Sequence, residues 1–510
     1  MDSIMNLFSG FEVAFSPTNL LFVTIGVVVG TVIGLIPGLG PVTAIALLLP
    51  LTYELDATTA IMMLAGIYYG SMYGGRIPAI LLRLPGDAAA VVTTFDGYPL
   101  AKQGRASEAL SLTGFGSFIG STIAILTLTL MAPTMANIAG SITSADMFIL
   151  AALGLFMIVM LGSGSKAKAL IIGSLGIVVS MIGIDPIDGN ARLTFGSLEL
   201  LGGINIVAVA VGLFGIGELI YNAEHGFYTG TKDLPVKPKL PSKMDWVFAR
   251  FAILRAAVVG TIIGMIPGGG GPVASVVSYG VEKKVSKRPE KFGKGAIEGL
   301  AATETADNAS SNSAFIPLLT LGVPPNPVLA LIFGALLLQN ITPGPTLIND
   351  HPQLFWGVIA SMYIGNVLLL ALNLPLVGVF VQMLRIRGSI MAPIIIIVAI
   401  CGVFSVRNSL FDVITAIIFG VIGYILRKAN FELGPFILGF ILGPILEVEF
   451  RRTMLVSEGD LGTFLERPLF LAIVMLIAIS LIAPAVNKLR KRQAELREKA
   501  HDPDHTMYIG

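Results

Sequence analysis

Residues 302–317, "ATETADNASSNSAFIP", set Thr303, Glu304, Thr305, Asp307, Asn308, Ser310, Ser311, Asn312 and Ser313 directly before an apolar run. Carboxylates and amides in such density can ligate Na⁺ or carry a proton, while hydroxyls and amides can hold a carboxylate. At helical spacing Glu304, Asn308 and Ser311 share one face, with Asp307 near Ser311. Charged groups near a bilayer centre cost roughly 2.5–3.5 kcal/mol on insertion scales, so at that depth they mark function. The competing reading is a loop that enters the membrane only at Phe315. A second set, Arg76, Arg83 and Asp87, surrounds Pro78 and Pro85. Arg76 can clamp a carboxylate through its fork of donors, or it can neutralise Asp87 or Glu304.

These residues need elements to place them, and composition defines the surroundings. Of 510 residues 54% are hydrophobic and 13% charged, against about 25% charged in soluble domains. Mean hydropathy is +0.84. Apolar segments such as Leu20–Ile36, Ser121–Met131, Met147–Leu161, Ile204–Ile220, Phe355–Met383, Ile390–Val403 and Pro468–Ala485 reach, with their flanks, the length that crosses a bilayer. The expectation is an all-α polytopic membrane protein, not a β-barrel of short alternating strands.

Two of the greasy runs are broken in the same way. "GTVIGLIPGLGP" (Gly30–Pro41) and "GTIIGMIPGGGGP" (Gly260–Pro272) agree at eight of their first eleven positions. Proline costs about 3 and glycine about 1 kcal/mol inside a helix, so both helices end there. Freed backbone groups must then face protein or a wet cavity. The helix N-termini after the breaks suit an anion, and the carbonyls before them suit Na⁺. The breaks put Pro37, Gly38 and Gly40, and Pro267, Gly268, Gly269 and Gly270, among the candidate binding residues. A packing kink, with glycines letting helices approach, is the alternative.

A weaker correspondence follows each copy: "IPAILLRLPGDAA" (Ile77–Ala89) lies over "IPLLTLGVPPNPV" (Ile316–Val328). Loop charge orients the copies. "TYELDA" after the first break is acidic, whereas "EKKVSKRPEKFGK" after the second is basic. The bias then reverses, with Lys102 and Arg105 in the first copy and Asp350 in the second. Basic loops stay inside, so the copies are expected to be inverted-topology repeats whose discontinuous helices meet near the bilayer midplane. Residues 1–230 form the first repeat and 231–489 the second, with an extra C-terminal helix. Residues 490–510 are a basic cytoplasmic tail. The Pro/Lys-rich stretch 221–250 reads as the linker between the halves.

Several classes drop out. The first 16 residues hold Asp2 and Glu12 but no base, which argues against a cleavable signal peptide. The single Cys401 excludes a disulfide framework and reads as a small core residue. All four histidines, His225, His351, His501 and His505, sit in polar segments without an HExxH or Ser–His–Asp set. No phosphate-binding G-x-x-x-x-G-K-[ST] string occurs. No enzyme, nucleic-acid partner or cofactor is expected. A channel would need a continuous polar stripe, and the polar residues cluster instead.

"GLIPGLGP", "YGGRIPAILLRLPGDAAAVVTTFDGYPLAKQGRASEAL" and "ETADNASSNSAFIPLLTLGVPPNPVLALIFGALLLQNITPGPTLI" resemble the large membrane subunit of tripartite tricarboxylate transporters. The resemblance implies uptake of a di- or tricarboxylate across the bacterial inner membrane by symport with Na⁺ or H⁺. It also implies two partners, a small four-helix membrane subunit and a periplasmic solute-binding protein. With it, the substrate set becomes the two breaks with Arg76, Asn308, Ser311, Asn312, Ser313 and Asn326. Glu304, Asp307 and Asp87 form the ion-coupling set, and Na⁺ is placed near Gly38, Gly268 and Asp307. Three positions depart from the family pattern. Arg76 stands for a small hydroxyl residue, Arg83 for an amide, and "GVPPNP" for a start of "GIPG".

Overall fold

Helices stopped by Pro-Gly inside apolar runs are what a computed structural model of the chain contains. It describes residues 2–139, 141–161, 165–226, 238–385, 388–475 and 477–478. Seven described helices are long and apolar enough to cross a membrane: Pro17–Gly34, Ala106–Ala132, Ile206–His225, Lys243–Met265, Pro352–Asn373, Gly388–Arg407 and Leu410–Lys428. The chain is an all-α polytopic membrane protein. The described strands are the two-residue pair Gly183–Ile184 and Ala191–Arg192.

The order begins with α1 (Asp2–Ala14), α2 (Pro17–Gly34), α3 (Pro41–Leu48), α4 (Ala57–Leu82), α5 (Ala90–Lys102) and α6 (Ala106–Ala139). Then come α7 (Ser144–Leu161), α8 (Lys166–Ser180) and α9 (Ile206–His225), the last carrying a π-helical stretch at Val211–Ile216. After the linker follow α10 (Lys243–Met265), α11 (Gly270–Val285), α12 (Ile297–Ser313), α13 (Phe315–Leu321) and α14 (Pro327–Leu338). The chain continues through α15 (Pro352–Asn373), α16 (Val377–Met383), α17 (Gly388–Arg407), α18 (Leu410–Lys428) and α19 (Gly434–Val456).

The polar string at 302–317 is helix, not an entry loop. Every residue of α12 from Gly299 to Ser313 is buried, as is nearly all of α4. A helix this polar survives in a membrane only when protein surrounds it. Here α4, α5, α6, α10 and α11 do so.

The two broken strings make the same local structure. Each is a helical hairpin, α2–α3 or α10–α11, whose tip carries a left-handed glycine: Gly38 at φ 86° and Gly268 at φ 78°. In each, the incoming arm lies against a neighbour through glycines. A Cβ on Gly30 or Gly34 would fall 2.4 or 2.2 Å from the carbonyl oxygens of Ile67 and Ser71. On Gly260 or Gly264 it would fall 2.4 or 2.3 Å from those of Ala306 and Ser310. The alignment that sets Ile77 over Ile316 also sets Ile67 over Ala306 and Ser71 over Ser310. The correspondence recurs at the next turn. Arg83 and Gly322 both end their helices in the left-handed region, at φ 58° and 68°. Leu84 N donates to Pro78 O and Val323 N to Pro317 O, at 3.3 and 3.1 Å.

Loops meet across the copies. Gln103 Nε2 donates to Lys294 O at 3.0 Å, which joins the two basic loops at one end. At that end too, Arg105 pairs with Asp245 at 2.6 Å and Lys239 with Glu108 at 2.5 Å. Gln339 Nε2 donates to Tyr53 O and Leu55 O at 3.3 and 3.2 Å, which joins "TYELDA" to the acidic loop of the second copy.

Three expectations need correction. The linker is shorter than 221–250, because α9 runs to His225 and α10 begins at Lys243. The stretch "SKMD" is a capping box: Ser242 Oγ accepts from Asp245 N at 3.2 Å, and the Asp245 carboxylate accepts from Ser242 N at 3.0 Å. Phe355–Met383 is not one span, since α15 ends at Asn373 and Pro375 separates it from α16. Cys401 is exposed on α17 rather than in the core. The expected boundary at 230/231, the tail 490–510 and the end of the C-terminal helix lie outside the described residues.

Candidate functional site

α12 presents three different faces. Its Gly264-facing side carries Ser310 and Ser313, where a Cβ on Gly264 would meet the Ser313 hydroxyl at 2.2 Å. A second side meets α6: Asn308 Nδ2 donates to Ser117 Oγ at 2.9 Å and Asn312 Nδ2 to Ser121 Oγ at 3.0 Å. The third side, Glu304, Asp307 and Ser311, looks toward α4, α5 and α11. The structure thus brings Glu304, Asp307 and Ser311 together and turns Asn308, Asn312 and Ser313 into neighbouring helices.

On the third side, Glu304 Oε1 accepts from the Thr93 hydroxyl of α5, while its Oε2 has no partner. Asp307 Oδ1 also has none and sits where a Cβ on Gly271, at the start of α11, would fall 2.2 Å away. That same Cβ would lie 3.1 Å from Ala89 and from Met72, so the second hairpin meets the first copy beside Asp307. Asp307 is within electrostatic reach of Asp87 and Glu304. Ser311 Oγ donates to Asp307 O at 2.9 Å.

Asp87 and Asn326 are equivalent positions with equivalent work. Asp87 Oδ1 accepts from Ala89 N and Ala90 N at 2.8 and 2.9 Å, capping α5. Asn326 Oδ1 accepts from Leu329 N at 3.0 Å, capping α14, and its Nδ2 donates to Tyr68 OH at 3.2 Å. A side-chain cap satisfies the free N–H groups that open a helix. At the aspartate it also sets a negative charge on a positive helix end.

Arg76 is 2% exposed. Its guanidinium lies 3.9 Å over the Tyr73 ring, and its Nε and Nη1 have no hydrogen-bond partner. It makes no ion pair among the described residues, although its field reaches Glu304. Two acids, Glu304 and Asp307, and one base are therefore buried, with the half-buried Asp87 within electrostatic reach, an excess of negative charge that protons or a cation must balance when all ionise.

The hairpin tips occupy unlike surroundings. Gly268 N donates to Pro325 O at 2.7 Å, and Gly322–Pro325 are buried. The first tip has Gly40 beside Gly86 and Asp87, but Gly38 is exposed next to Asn222 and Glu218 of α9. A cavity of about 220 Å³ opens there, lined by Pro37, Leu39, Leu84, Asn222, Gly226 and residues of α17. Gly38, Gly268 and Asp307, expected around one Na⁺, thus have different nearest neighbours. Among the described residues no three His, Cys, Asp or Glu side chains are grouped to hold a metal ion.

Some site residues escaped the sequence reading. Glu218, which pairs with Arg427, and Asn222, which donates to Glu218 at 3.1 Å, wall the first tip. Glu218 stands inside "VGLFGIGELIYN", an acid in an apolar run, and that was the available signal. Thr93 and Tyr68 carried none. Asp96 Oδ1 accepts from Gly293, Gly295 and Ala296 N, each at 2.8 Å, and so clips α5 to the loop before α12.

Over residues 20–438 the chain matches the tripartite tricarboxylate transporter TctA family. It belongs to that family. As a TctA-family chain it is one component of a multi-part transporter. It is 43% identical over 498 residues to an uncharacterized 52.8 kDa protein in the TAR-I ttuC′ 3′ region of Agrobacterium vitis, covering 96% of this chain and 99% of the relative. It is 47% identical over 237 residues to an uncharacterized protein in the TAR-II ttuC′ 3′ region of the same organism, covering 46% of this chain and 98% of that relative. No solved structure matches.

Proposed function

We propose that this chain is the permease subunit of a binding-protein-dependent secondary transporter that imports a di- or tricarboxylate by symport with Na⁺ or H⁺. The observation that carries the reading is the buried Glu304, Asp307 and Arg76, with the half-buried Asp87 nearby, where the second hairpin tip meets the first copy. Uncompensated acids at depth are costly unless an ion or proton comes and goes. The coupling ion is then the charge that neutralises Asp307 and Asp87. The substrate carboxylates are held by backbone N–H groups at the tips, by Ser311 and Asn326, and by Arg76 once the tips part.

The paired hairpins support an inverted repeat. The first copy's basic loop meets the second copy's basic loop, and the acidic loops meet at the other end, as inversion requires. With basic loops inside, the chain sits in the bacterial inner membrane and receives substrate at its acidic end. A small four-helix membrane subunit and a periplasmic solute-binding protein complete the system.

The test is uptake of labelled di- and tricarboxylates into proteoliposomes under an imposed Na⁺ or pH gradient, with and without both partners. Uptake that requires both partners and one gradient is expected. Uptake by the chain alone would make it a free-standing carrier, and gradient-independent, non-saturating flux would make it an anion channel.

A further inference from the structure

The connection between α8 and α9 is more rigidly built than a connector needs to be. Its ends meet, with a Cβ on Gly183 falling 3.1 Å from Gly203 Cα. Within it, Gly183–Ile184 pairs antiparallel with Ala191–Arg192. Asp185 Oδ1 turns the chain by accepting from Ile187 N and Asp188 N at 2.8 and 3.1 Å. Two arginines clamp this hairpin to α19. Arg451 reaches Asp185, Asp188 and Glu447 at 2.7, 2.5 and 3.2 Å, and Arg192 forks onto Glu447 at 2.6 and 3.2 Å.

Beyond the clamp, bulky residues stand in an unfavourable backbone conformation. Leu193 and Phe195 have φ of 52° and 50°, a region where a side chain crowds its own backbone. Such strain persists only where the surroundings impose it, and it clusters where a shape is used. Phe195 and Leu198 are 90% and 82% exposed. One turn past Arg451, Leu455 and Val456 are exposed as well. Exposed acids dominate the two segments that the clamp joins: Asp188 and Glu199 beside the knob, and Glu458, Asp460 and Glu466 beyond the end of α19, against Arg467; no lysine occurs in 183–203 or 434–466. Arg452 is held by Glu449 at 3.1 Å.

We propose that this braced apolar knob and its acidic rim are the docking surface for a soluble protein whose matching face offers an apolar socket ringed by Lys and Arg. Resting on the reading above, that protein is the substrate-binding component. A fluid bilayer accommodates any shape and does not call for a clamped, strained backbone, and an acidic rim is repelled by anionic headgroups. A protein socket favours a fixed aromatic anchor. The knob follows α8 and precedes α9, whose far end joins the linker beside the basic loops, so the knob lies at the opposite, acidic end.

The experiment titrates purified soluble carboxylate-binding protein onto proteoliposomes holding the small subunit and either wild type or Phe195→Ala/Leu198→Ala. The half-saturating concentration is expected to rise at least tenfold, with uptake at saturation within twofold of wild type. Glu199→Lys/Glu458→Lys should produce a comparable shift, and added salt should weaken wild type in the same direction. Unchanged half-saturation in both variants overturns the docking surface while leaving the transport reading intact. Strong quenching of Phe195→Trp fluorescence by brominated lipid would make the knob a lipid anchor and overturn it too. Wild type indifferent to the soluble protein would reject the partner reading itself and this proposal with it.

Discussion

Asp307 and Asn308 are neighbours in sequence with unlike surroundings. Asn308 Nδ2 donates to Ser117 on α6, whereas Asp307 turns toward Gly271 of the second hairpin; Asp307 Oδ1 and Asn308 Oδ1 are both buried without a partner. Asp307→Asn should abolish the dependence of uptake on the cation gradient. Asn308→Ala should cost about 1 kcal/mol of stability, the scale of one interhelical hydrogen bond in a membrane, and leave that dependence in place. Uptake driven equally well in Asp307→Asn would remove it from the coupling set. Arg83 offers a second contrast. The left-handed conformation costs a non-glycine roughly 1–2 kcal/mol, so Arg83→Gly should raise stability by up to about 1 kcal/mol after glycine's own entropy cost. Gly322→Ala should lower it by about 2–3 kcal/mol, because the new Cβ would fall 2.5 Å from Pro343 O. Thermal unfolding in detergent reads both. Glu304 and Asp307 were legible because acids stand out in an apolar chain. Their separation from Asn308 was not, since about 40° of helical rotation from Glu304 decides between the site and α6. Tyr68 and Thr93 were invisible, because only the fold brings their helices to α12.

The helical hairpins were legible as elements, since proline and glycine act locally. The glycine spacing before each break is equally local, and its consequence is tight packing on a neighbour's backbone. Gly34→Ala and Gly264→Ala should each cost at least about 2 kcal/mol, the usual scale for forced overpacking. Gly280→Ala on α11 should be neutral or stabilising, because a Cβ there meets nothing within 4 Å and alanine is the better helix former. Equal effects at the three sites, measured by thermal unfolding in detergent, would contradict the close approach of α2 to α4 and of α10 to α12. What stayed hidden at this scale were punctuation marks submerged in longer patterns. "SKMD" looked like linker beside three further lysines and three prolines, and Pro375 disappeared within a run of leucines. The partners of each arm, α4 for α2 and α12 for α10, depend on long-range packing that hydropathy does not encode.

At the scale of the whole molecule the two copies are alike in parts and unlike in state. The second tip is closed, with Gly268 bonded to Pro325 and Val323 only 3% exposed. At the equivalent place in the first copy Leu84 is 39% exposed and borders the cavity that reaches Gly226, at the end of α9 beside the basic loops. If the copies exchange roles during transport, Gly38 should bond to Gly86, the residue equivalent to Pro325, while the second tip opens toward the acidic end. Cysteines report this in a chain whose exposed Cys401 is replaced by serine. Leu84→Cys should react with an impermeant thiol reagent applied from the basic side. Val323→Cys should stay protected until substrate and the coupling cation are both supplied, and then react from the acidic side. Val323→Cys reactivity that ignores substrate and cation, or appears on the same side as that of Leu84→Cys, would mean that the two tips do not alternate and that their difference is a fixed asymmetry of the fold.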